Sequence, residues 1–222
     1  PHMNSWPDAA ITPFRNEKNS NWEGAYRVPA MIRWPGKIKP GSVSNEIVSH
    51  LDWLPSLLAM AGEPDIKSKL LKGHKANGRD YKVHLDGFNL VPYLKGEREK
   101  GPRESFLYCN DDQQITGLRF DNWKVVFLEQ RVQGTLQIWA EPFVNLRVPK
   151  IFNLRLDPYE RADVTSNTYY DWLLDRVFLL SPAQEYVGDF LKTFKEFPPR
   201  QEAASFNLDS VLRKLKEGGG AR

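Results

Sequence analysis

The chain has 222 residues and a formal net charge of +3, from 31 Lys and Arg against 28 Asp and Glu. This length allows one large domain, or one domain and part of another, whose core needs no disulfide or metal. The charge is small and forms no basic cluster, which argues against nucleic acid as a partner. No apolar run approaches the roughly 18 residues of a membrane-spanning helix, which argues against a membrane.

The N-terminal part is predicted to be a loop followed by one strand. Residues 1–27 are polar, rich in Asn, Ser and Pro, and have no period of 2 or 3.6. The apolar run over 27–34, closed by Pro35-Gly36, is typical of a buried strand that ends in a turn. The chain opens on Pro1-His2-Met3, so we expect it to be a piece of a longer protein or a processed product.

A helix is predicted after Asp52. Asp52 is placed to cap it, Pro55 falls in its first turn, and Gly62 is placed to end it. The spacing i, i+3, i+4, i+7 predicts a buried stripe made of Leu54, Leu57, Leu58 and Ala61.

The second half of the chain is strand-like after a polar connection over 63–104, in which we place a domain boundary. Alternating apolar runs predict strands over 105–109, 116–120, 123–129 and 136–140, with a further strand over 151–154. Asp121-Asn122 and Gln133-Gly134 are predicted as hairpin turns, so that the strands form an antiparallel meander.

Two helices are predicted to close the chain. Ser181-Pro182-Ala183-Gln184 has the pattern of a capping box with proline at the first helical position. Its predicted buried stripe consists of Val187, Phe190, Leu191 and Phe194. The second helix has a stripe made of Leu208, Val211, Leu212 and Leu215.

Few side chains are spaced for chemistry. The four histidines have no metal-site spacing, which predicts that this chain holds no metal site of its own. Asp111-Asp112 are predicted to lie in a solvated turn. Cys109, the single cysteine, cannot form a disulfide within the chain and has no sign of a lowered pKa.

Lys18 is the most informative polar residue. A lysine in Asn-Glu-Lys-Asn-Ser-Asn is ordinarily a solvated surface residue. However, the loop leads directly into the predicted strand over 27–34, so it enters at a sheet edge, where open α/β sheets place their sites. A cation at that position suits an anionic substrate.

Several blocks of the sequence resemble type I sulfatases, arylsulfatases in particular. The most specific is Lys18-x-x-x-Trp22-Glu23-Gly24-Ala25-x-Arg27-Val28-Pro29, followed by Trp34-Pro35-Gly36. Four further blocks agree in order: Asp52-Trp53-Leu54-Pro55-Ser56, Leu85-Asp86-Gly87, Leu118-Arg119-x-Asp121-x-Trp123-Lys124-Val125 and Ile151-Phe152-Asn153-Leu154-x-x-Asp157-Pro158-x-Glu160. The resemblance covers residues 1 to about 200.

The resemblance implies an alkaline-phosphatase-like architecture, of class α/β to α+β. Residues 1–65 would supply the last strand and helix of the catalytic domain, and 66–104 a connection. Residues 105–217 would form a small C-terminal α+β domain, with an antiparallel sheet packed against C-terminal helices. Family enzymes hydrolyse sulfate monoesters with a formylglycine nucleophile and a divalent cation, usually calcium.

The chain departs from the family in its catalytic set. Cys109 lies in Cys-Asn-Asp-Gln-Gln and not in the Cys/Ser-x-Pro-x-Arg block from which formylglycine is made. By resemblance, Lys18 is the catalytic residue retained, donating to the sulfate and leaving-group oxygens, and His2 is a weaker candidate for substrate binding. The nucleophile and the metal ligands would lie in a missing N-terminal part of the same protein.

Three interpretations stay open. The chain is the C-terminal part of an arylsulfatase, inactive alone; or a noncatalytic interaction or oligomerisation module derived from a sulfatase; or part of a related phosphoester or phosphonate hydrolase. A free sheet edge would favour association with a second copy of the chain. The family resemblance favours a periplasmic or secreted protein, while the single cysteine leaves the compartment open.

Overall fold

The computed structural model describes residues 12–201, 203–206, 208, 211, 212 and 215. Its helices are α1 Glu23–Tyr26, α2 Trp53–Met60, α3 Ile66–Lys72, α4 Val91–Leu94, α5 Gln137–Ala140, α6 Ala162–Thr165, α7 Tyr169–Leu174 and α8 Leu180–Thr193. Short 3-10 turns at His50–Asp52 and Val177–Leu179 lead into α2 and α8. The predicted second C-terminal helix lies largely outside the described residues. No helix in the described part of the chain is long and apolar enough to cross a bilayer.

A four-stranded antiparallel sheet organises the second half of the chain. Its strands, β3 Ser105–Cys109, β4 Ile115–Phe120, β5 Trp123–Glu129 and β6 Val144–Asn153, follow one another in sequence order. Three of the predicted strands and the Asp121-Asn122 turn are therefore confirmed, and the strands form an antiparallel meander. The hairpin turn predicted at Gln133-Gly134 is wrong, because these residues lie in the longer connection between β5 and β6. A separate hairpin, β1 His74–Ala76 with β2 Arg79–Tyr81, turns at Asn77-Gly78 inside the predicted polar connection.

The two faces of this sheet carry different partners. Phe120 stacks on Tyr186 of α8, and Trp123 packs against Trp172 of α7, so this face is covered by helices. Lys124 is paired across the sheet with Arg119 and Phe152, and side chains alternate between faces along a strand, so these three share the opposite face. That face is covered by the N-terminal segment, where Trp22 meets Phe152 edge-on.

The core forms between these layers. It is a single cluster of buried side chains from the sheet, the N-terminal segment and the closing helices: Trp22, Leu118, Phe120, Val125, Val126, Ile151, Phe152, Leu154, Tyr169, Leu173, Leu179 and Ala183. The described residues thus contain a small antiparallel sheet with helices packed against it.

The strand predicted over 27–34 is wrong. These residues form no strand, and Val28 and Met31 are 60% and 98% exposed. A strand is defined by pairing with a neighbour, and among the described residues no other segment forms a ladder with this one.

The strand predicted over 136–140 is also wrong, because most of these residues form the short helix α5. The side-chain amide of Gln130 donates to the carbonyl oxygens of Ile138 and Glu141, at 3.0 and 2.9 Å, which satisfies polar groups at this turn. The fourth strand instead begins at Val144 and contains most of the predicted 151–154 run.

The helix after Asp52 is confirmed, but its buried face is not the predicted one. Pro55 and Ser56 are buried, whereas Leu54 and Leu57 are 51% and 57% exposed. Asp52 does not cap α2; both of its carboxylate oxygens bind the Arg103 guanidinium, at 2.5 and 2.9 Å. A buried ion pair therefore anchors the residue that precedes α2, and the buried Ser56 hydroxyl accepts from the Leu90 amide at 2.9 Å. Gly62, with φ +100°, ends the helix as predicted.

The helix predicted from Ser181 is confirmed as α8, but without its capping box. The preceding 3-10 turn runs directly into α8, so the helix begins at Leu180 and no side chain caps it. Val187 and Phe190 are partly buried as expected, whereas Leu191 is 46% exposed.

Candidate functional site

Lys18 lies at the tip of a tight turn. The amide and the hydroxyl of Ser20 both donate to the carbonyl oxygen of Glu17, at 3.2 and 2.8 Å. Asn19 closes the turn with φ +70°, a left-handed conformation that asparagine tolerates better than most residues. Lys18 and Asn19 are both exposed to solvent.

Buried residues follow the turn at once and attach it to β5. The Asn21 side-chain amide donates to the Leu128 carbonyl oxygen at 2.6 Å, and the Trp22 indole donates to the Gln130 carbonyl oxygen at 3.1 Å. Asn21 and Trp22 are both fully buried. The C-terminal end of the turn is therefore held by two hydrogen bonds that are shielded from water.

The residues before the turn are held as well. The Arg15 guanidinium donates to the Glu160 carbonyl oxygen at 2.7 Å and to the Asp163 carboxylate at 2.8 Å. The same guanidinium lies 3.6 Å from the centre of the Trp22 ring, a cation–π contact. The Glu17 carboxylate accepts from the Thr135 amide at 2.7 Å. The turn is thus clamped on both sides, and its tip is the exposed part.

A buried ion cluster lies beneath the clamped segment. The Lys124 ammonium lies 3.2 Å from a carboxylate oxygen of Glu23 and 2.7 Å from one of Glu160. The Tyr108 hydroxyl donates to the same Glu23 oxygen at 2.5 Å, and the Glu23 amide donates to Glu160 at 2.7 Å. Arg119 adds a longer contact to Glu23, at 3.7 Å.

The two carboxyl groups of this cluster differ in their proton affinity. Burial by itself would raise the pKa of Glu23, but the charge of Lys124, the hydrogen bond from Tyr108 and the charge of Arg119 lower it below its ordinary value. Burial raises the pKa of Glu160; Lys124 offsets part of this rise, and the negative charge of Glu23 adds to it. Burial also raises the pKa of Tyr108 well above its ordinary value, so this hydroxyl stays protonated and donates.

The cluster joins three blocks that are far apart in the sequence. Glu23 belongs to the block after Lys18, Lys124 to the strand pair, and Glu160 to the block at Asp157-Pro158. Lys124 and Glu160 stand in these blocks without a role that the sequence alone predicts. A usable signal was present, because Lys124 interrupts the apolar run Trp123-Lys124-Val125-Val126, and a lysine in a buried strand requires a partner of opposite charge.

Among the remaining candidates, Cys109 and Asp112 lie outside the ion cluster. His2 lies outside the described residues. Burial and the charge of Asp86 raise the pKa of the Cys109 thiol, which disfavours the reactive thiolate. Asp112 accepts from the Ser205 amide and hydroxyl at 2.7 and 2.6 Å. Over the described ranges, no three His, Cys, Asp or Glu side chains are grouped to hold a metal ion.

Comparisons with known proteins identify the family of the chain. The Sulfatase family model matches residues 7–63. Steryl-sulfatase of Mus musculus is 33% identical over 173 residues, which cover 68% of this chain and 24% of that protein. Arylsulfatase A of Homo sapiens is 38% identical over 117 residues, which cover 51% of this chain and 20% of that protein.

The fold has a matching neighbour. The crystal structure of the PsFucS1 sulfatase from Pseudoalteromonas sp. superimposes with a TM-score of 0.67 at 24% identity, over 89% of this chain and 36% of that chain. The fold is therefore one found in sulfatases, which have the alkaline-phosphatase-like architecture. The chain is a sulfatase family protein. It spans about a quarter of the length of the curated relatives that it matches.

Proposed function

We propose that this chain is the C-terminal part of an arylsulfatase-like sulfuric ester hydrolase, and that Lys18 is its catalytic residue. The observation that carries the proposal is the exposed Lys18 at the tip of a turn clamped by buried residues of the family blocks. The backbone that carries this cation is held in one position, which favours the preorganised charge that electrostatic stabilisation of a transition state requires.

The role proposed for Lys18 follows from the reaction. Hydrolysis of a sulfate monoester breaks the bond between sulfur and the ester oxygen, and negative charge grows on that leaving oxygen. An ammonium group that donates to this oxygen and to a nonbridging oxygen of the sulfate stabilises the transition state more than the ground state. Lys18 would therefore act mainly on kcat.

The other parts of the catalytic set are proposed to lie outside this chain. The described residues do not fit a divalent cation such as calcium, because they offer no group of three acidic, His or Cys ligands. Cys109 does not lie in the block that matures to formylglycine. The cation and the nucleophile would come from an N-terminal part of the same protein, which is the principal partner that we propose.

The surface of the family-matched segment supports such a partner. Within residues 7–63, large apolar side chains are exposed, including Met31 at 98%, Val43 at 88% and Leu57 at 57%. On α2, Leu54 and Leu57 are spaced three apart and are both exposed. Large apolar side chains that are exposed together favour burial against another surface. We propose that the N-terminal part of the sulfatase covers them.

Replacing Lys18 by alanine in the sulfatase that contains this sequence tests its role. We expect kcat on 4-nitrophenyl sulfate to fall by about 100-fold or more, because one preorganised donor to the developing charge is removed. Lys37→Ala is the matched control, since Lys37 is another exposed lysine in a turn, and it should leave kcat unchanged. An unchanged kcat in Lys18→Ala removes Lys18 from the active site.

The chain by itself should be inactive. We expect no release of sulfate from 4-nitrophenyl sulfate by the purified chain with calcium present, because the nucleophile is proposed to lie elsewhere. Turnover by the chain alone would contradict the proposal.

In the longer protein, faster hydrolysis of 4-nitrophenyl phosphate than of the sulfate would favour the phosphoester hydrolase interpretation. Light scattering on the chain alone reports whether the exposed apolar side chains instead bind a second copy.

A further inference from the structure

We propose that Lys124 is a positioning residue for Lys18. Its buried ammonium group ties together the carbonyl oxygen of Asn21 and the carboxylates of Glu23 and Glu160, and so fixes the segment that follows the Lys18 turn. The inference rests on the proposed function, because it adds a residue that acts on the same site without touching the substrate.

The contacts of Lys124 bring three distant parts of the chain to one point. Its ammonium donates to the Asn21 carbonyl oxygen at 2.7 Å and to Glu23 at 3.2 Å. Glu160 lies 2.7 Å away in an ionic contact. The Asn21 contact is the important one, because it reaches the backbone three residues after Lys18.

Burial of the three charged side chains leaves little freedom for residues 21–23 to move. The side chain of Lys124 is 0% exposed, and those of Glu23 and Glu160 are 1% and 0% exposed. Water cannot replace a lost partner in such a place, so any shift of residues 21–23 leaves a buried charge without its counter-charge. The low dielectric that makes the contacts strong therefore also restricts the segment to one position.

Stability alone is a poor explanation for this cluster. Buried ion pairs contribute little net stability, because desolvation of the charges cancels much of their attraction, and apolar residues of similar volume often serve as well. Buried charges can instead restrict the surrounding chain to a single conformation. The segment fixed in this way is residues 21–23, which directly follow the turn that carries Lys18.

The test compares Lys124→Met with Arg103→Met in the sulfatase that contains this sequence. Methionine keeps the length of the side chain and removes its charge. Arg103 forms the buried pair with Asp52 and does not contact the Lys18 segment, so it controls for loss of a buried ion pair. We expect both variants to melt earlier, but only Lys124→Met to lower kcat, by about 10- to 100-fold, with KM changed by less than about twofold.

Coupling to Lys18 separates positioning from general damage. In a Lys18→Ala background, Lys124→Met should cause no further loss of kcat, because the residue through which it acts is gone. If Lys124→Met lowers kcat by the same factor in the Lys18→Ala background as in the unchanged protein, the proposal is overturned. Tyr108→Phe gives a milder second variant that removes one hydrogen bond to Glu23, and we expect it to lower kcat by about 3- to 10-fold.

Hydrogen–deuterium exchange of the 222-residue chain supplies a readout that does not depend on activity. Amides of residues 20–24 should exchange faster in Lys124→Met and remain unchanged in Arg103→Met. Faster exchange without any loss of kcat overturns the positioning role. Full kcat in Lys18→Ala instead overturns the proposed function, so the two failures are distinguishable.

Discussion

A methyl group added at Gly24 has no space in this structure. A Cβ atom built there would lie 2.0 Å from the carbonyl oxygen of Asn16 and 2.4 Å from that of Arg15. Ordinary van der Waals contact begins at 3.4 Å, so the two segments must separate by 3.4 − 2.0 = 1.4 Å. Because both obstacles are backbone atoms, no side-chain rotation can relieve the clash. We therefore expect Gly24→Ala to force the chain apart between α1 and the residues that precede the Lys18 turn.

The cost has two parts. Overpacking of a tight contact costs about 1–3 kcal/mol, and the separation also breaks the hydrogen bond from the Gly24 amide to the Arg15 carbonyl oxygen, 2.8 Å long, which contributes about 1 kcal/mol. The sum is about 2–4 kcal/mol. For a chain of this size, 1 kcal/mol corresponds to roughly 2–4 °C in Tm, so we expect Tm to fall by about 4–16 °C.

Thermal unfolding followed by circular dichroism measures this change, and Gly188→Ala is the matched control. Gly188 lies inside α8, and a Cβ there has no neighbour within 4 Å. Alanine in a helix interior is favoured over glycine by about 0.5–1 kcal/mol, so this variant should melt slightly later than the unchanged chain. A Gly24→Ala chain that melts at the same temperature as the unchanged chain would refute the close approach of the two segments.

Two further predictions concern the ion pair at α2 and the phenol of Tyr26. Arg103→Met leaves the buried Asp52 carboxylate without its partner and should lower the free energy of unfolding by about 3–5 kcal/mol, and an unchanged urea midpoint would contradict this. Burial, together with the charges of Cys109 and Asp111, raises the pKa of Tyr26 from 10.0 to about 12. The unfolded chain therefore releases this proton first, and stability should fall as the pH rises from 10 to 12. Tyr26→Phe should show a shallower decline, and parallel stability curves for the two chains would show that Tyr26 does not contribute.

The elements that the sequence predicted well depend on neighbours in the chain. The strands over 105–109 and 123–129 alternate visibly, and Asp121, with φ +49°, turns the chain between the strands as its residue type predicts. The end of α2 at Gly62 is equally local. In each case the side chains that decide the conformation are within a few residues of one another.

The elements that the sequence predicted wrongly depend on distant partners. The run over 27–34 has the composition of a strand, but pairing decides whether a strand forms. The buried Ser56 of α2 accepts from the Leu90 amide, 34 residues away, and Asp52 beside the helix pairs with Arg103, 51 residues away. Residues 136–140 have apolar side chains in a strand-like order, yet most of them form the helix α5. The Gln130 side chain, which lies outside this run, donates to carbonyl oxygens of α5 and of the residue that follows it.

By itself, the sequence determined the family, the meander with its closing helix, and Lys18 as the residue to test, because motifs, periods and turn residues are properties of short segments. The tertiary structure decided which residues hold Lys18 in place. Lys124 and Glu23 are 101 residues apart in the chain, and Glu160 is farther still, so no local pattern could reveal that they share one buried site. Their placement arises because folding removes three charges from water at the same point, and only groups of opposite charge meeting there make that removal tolerable.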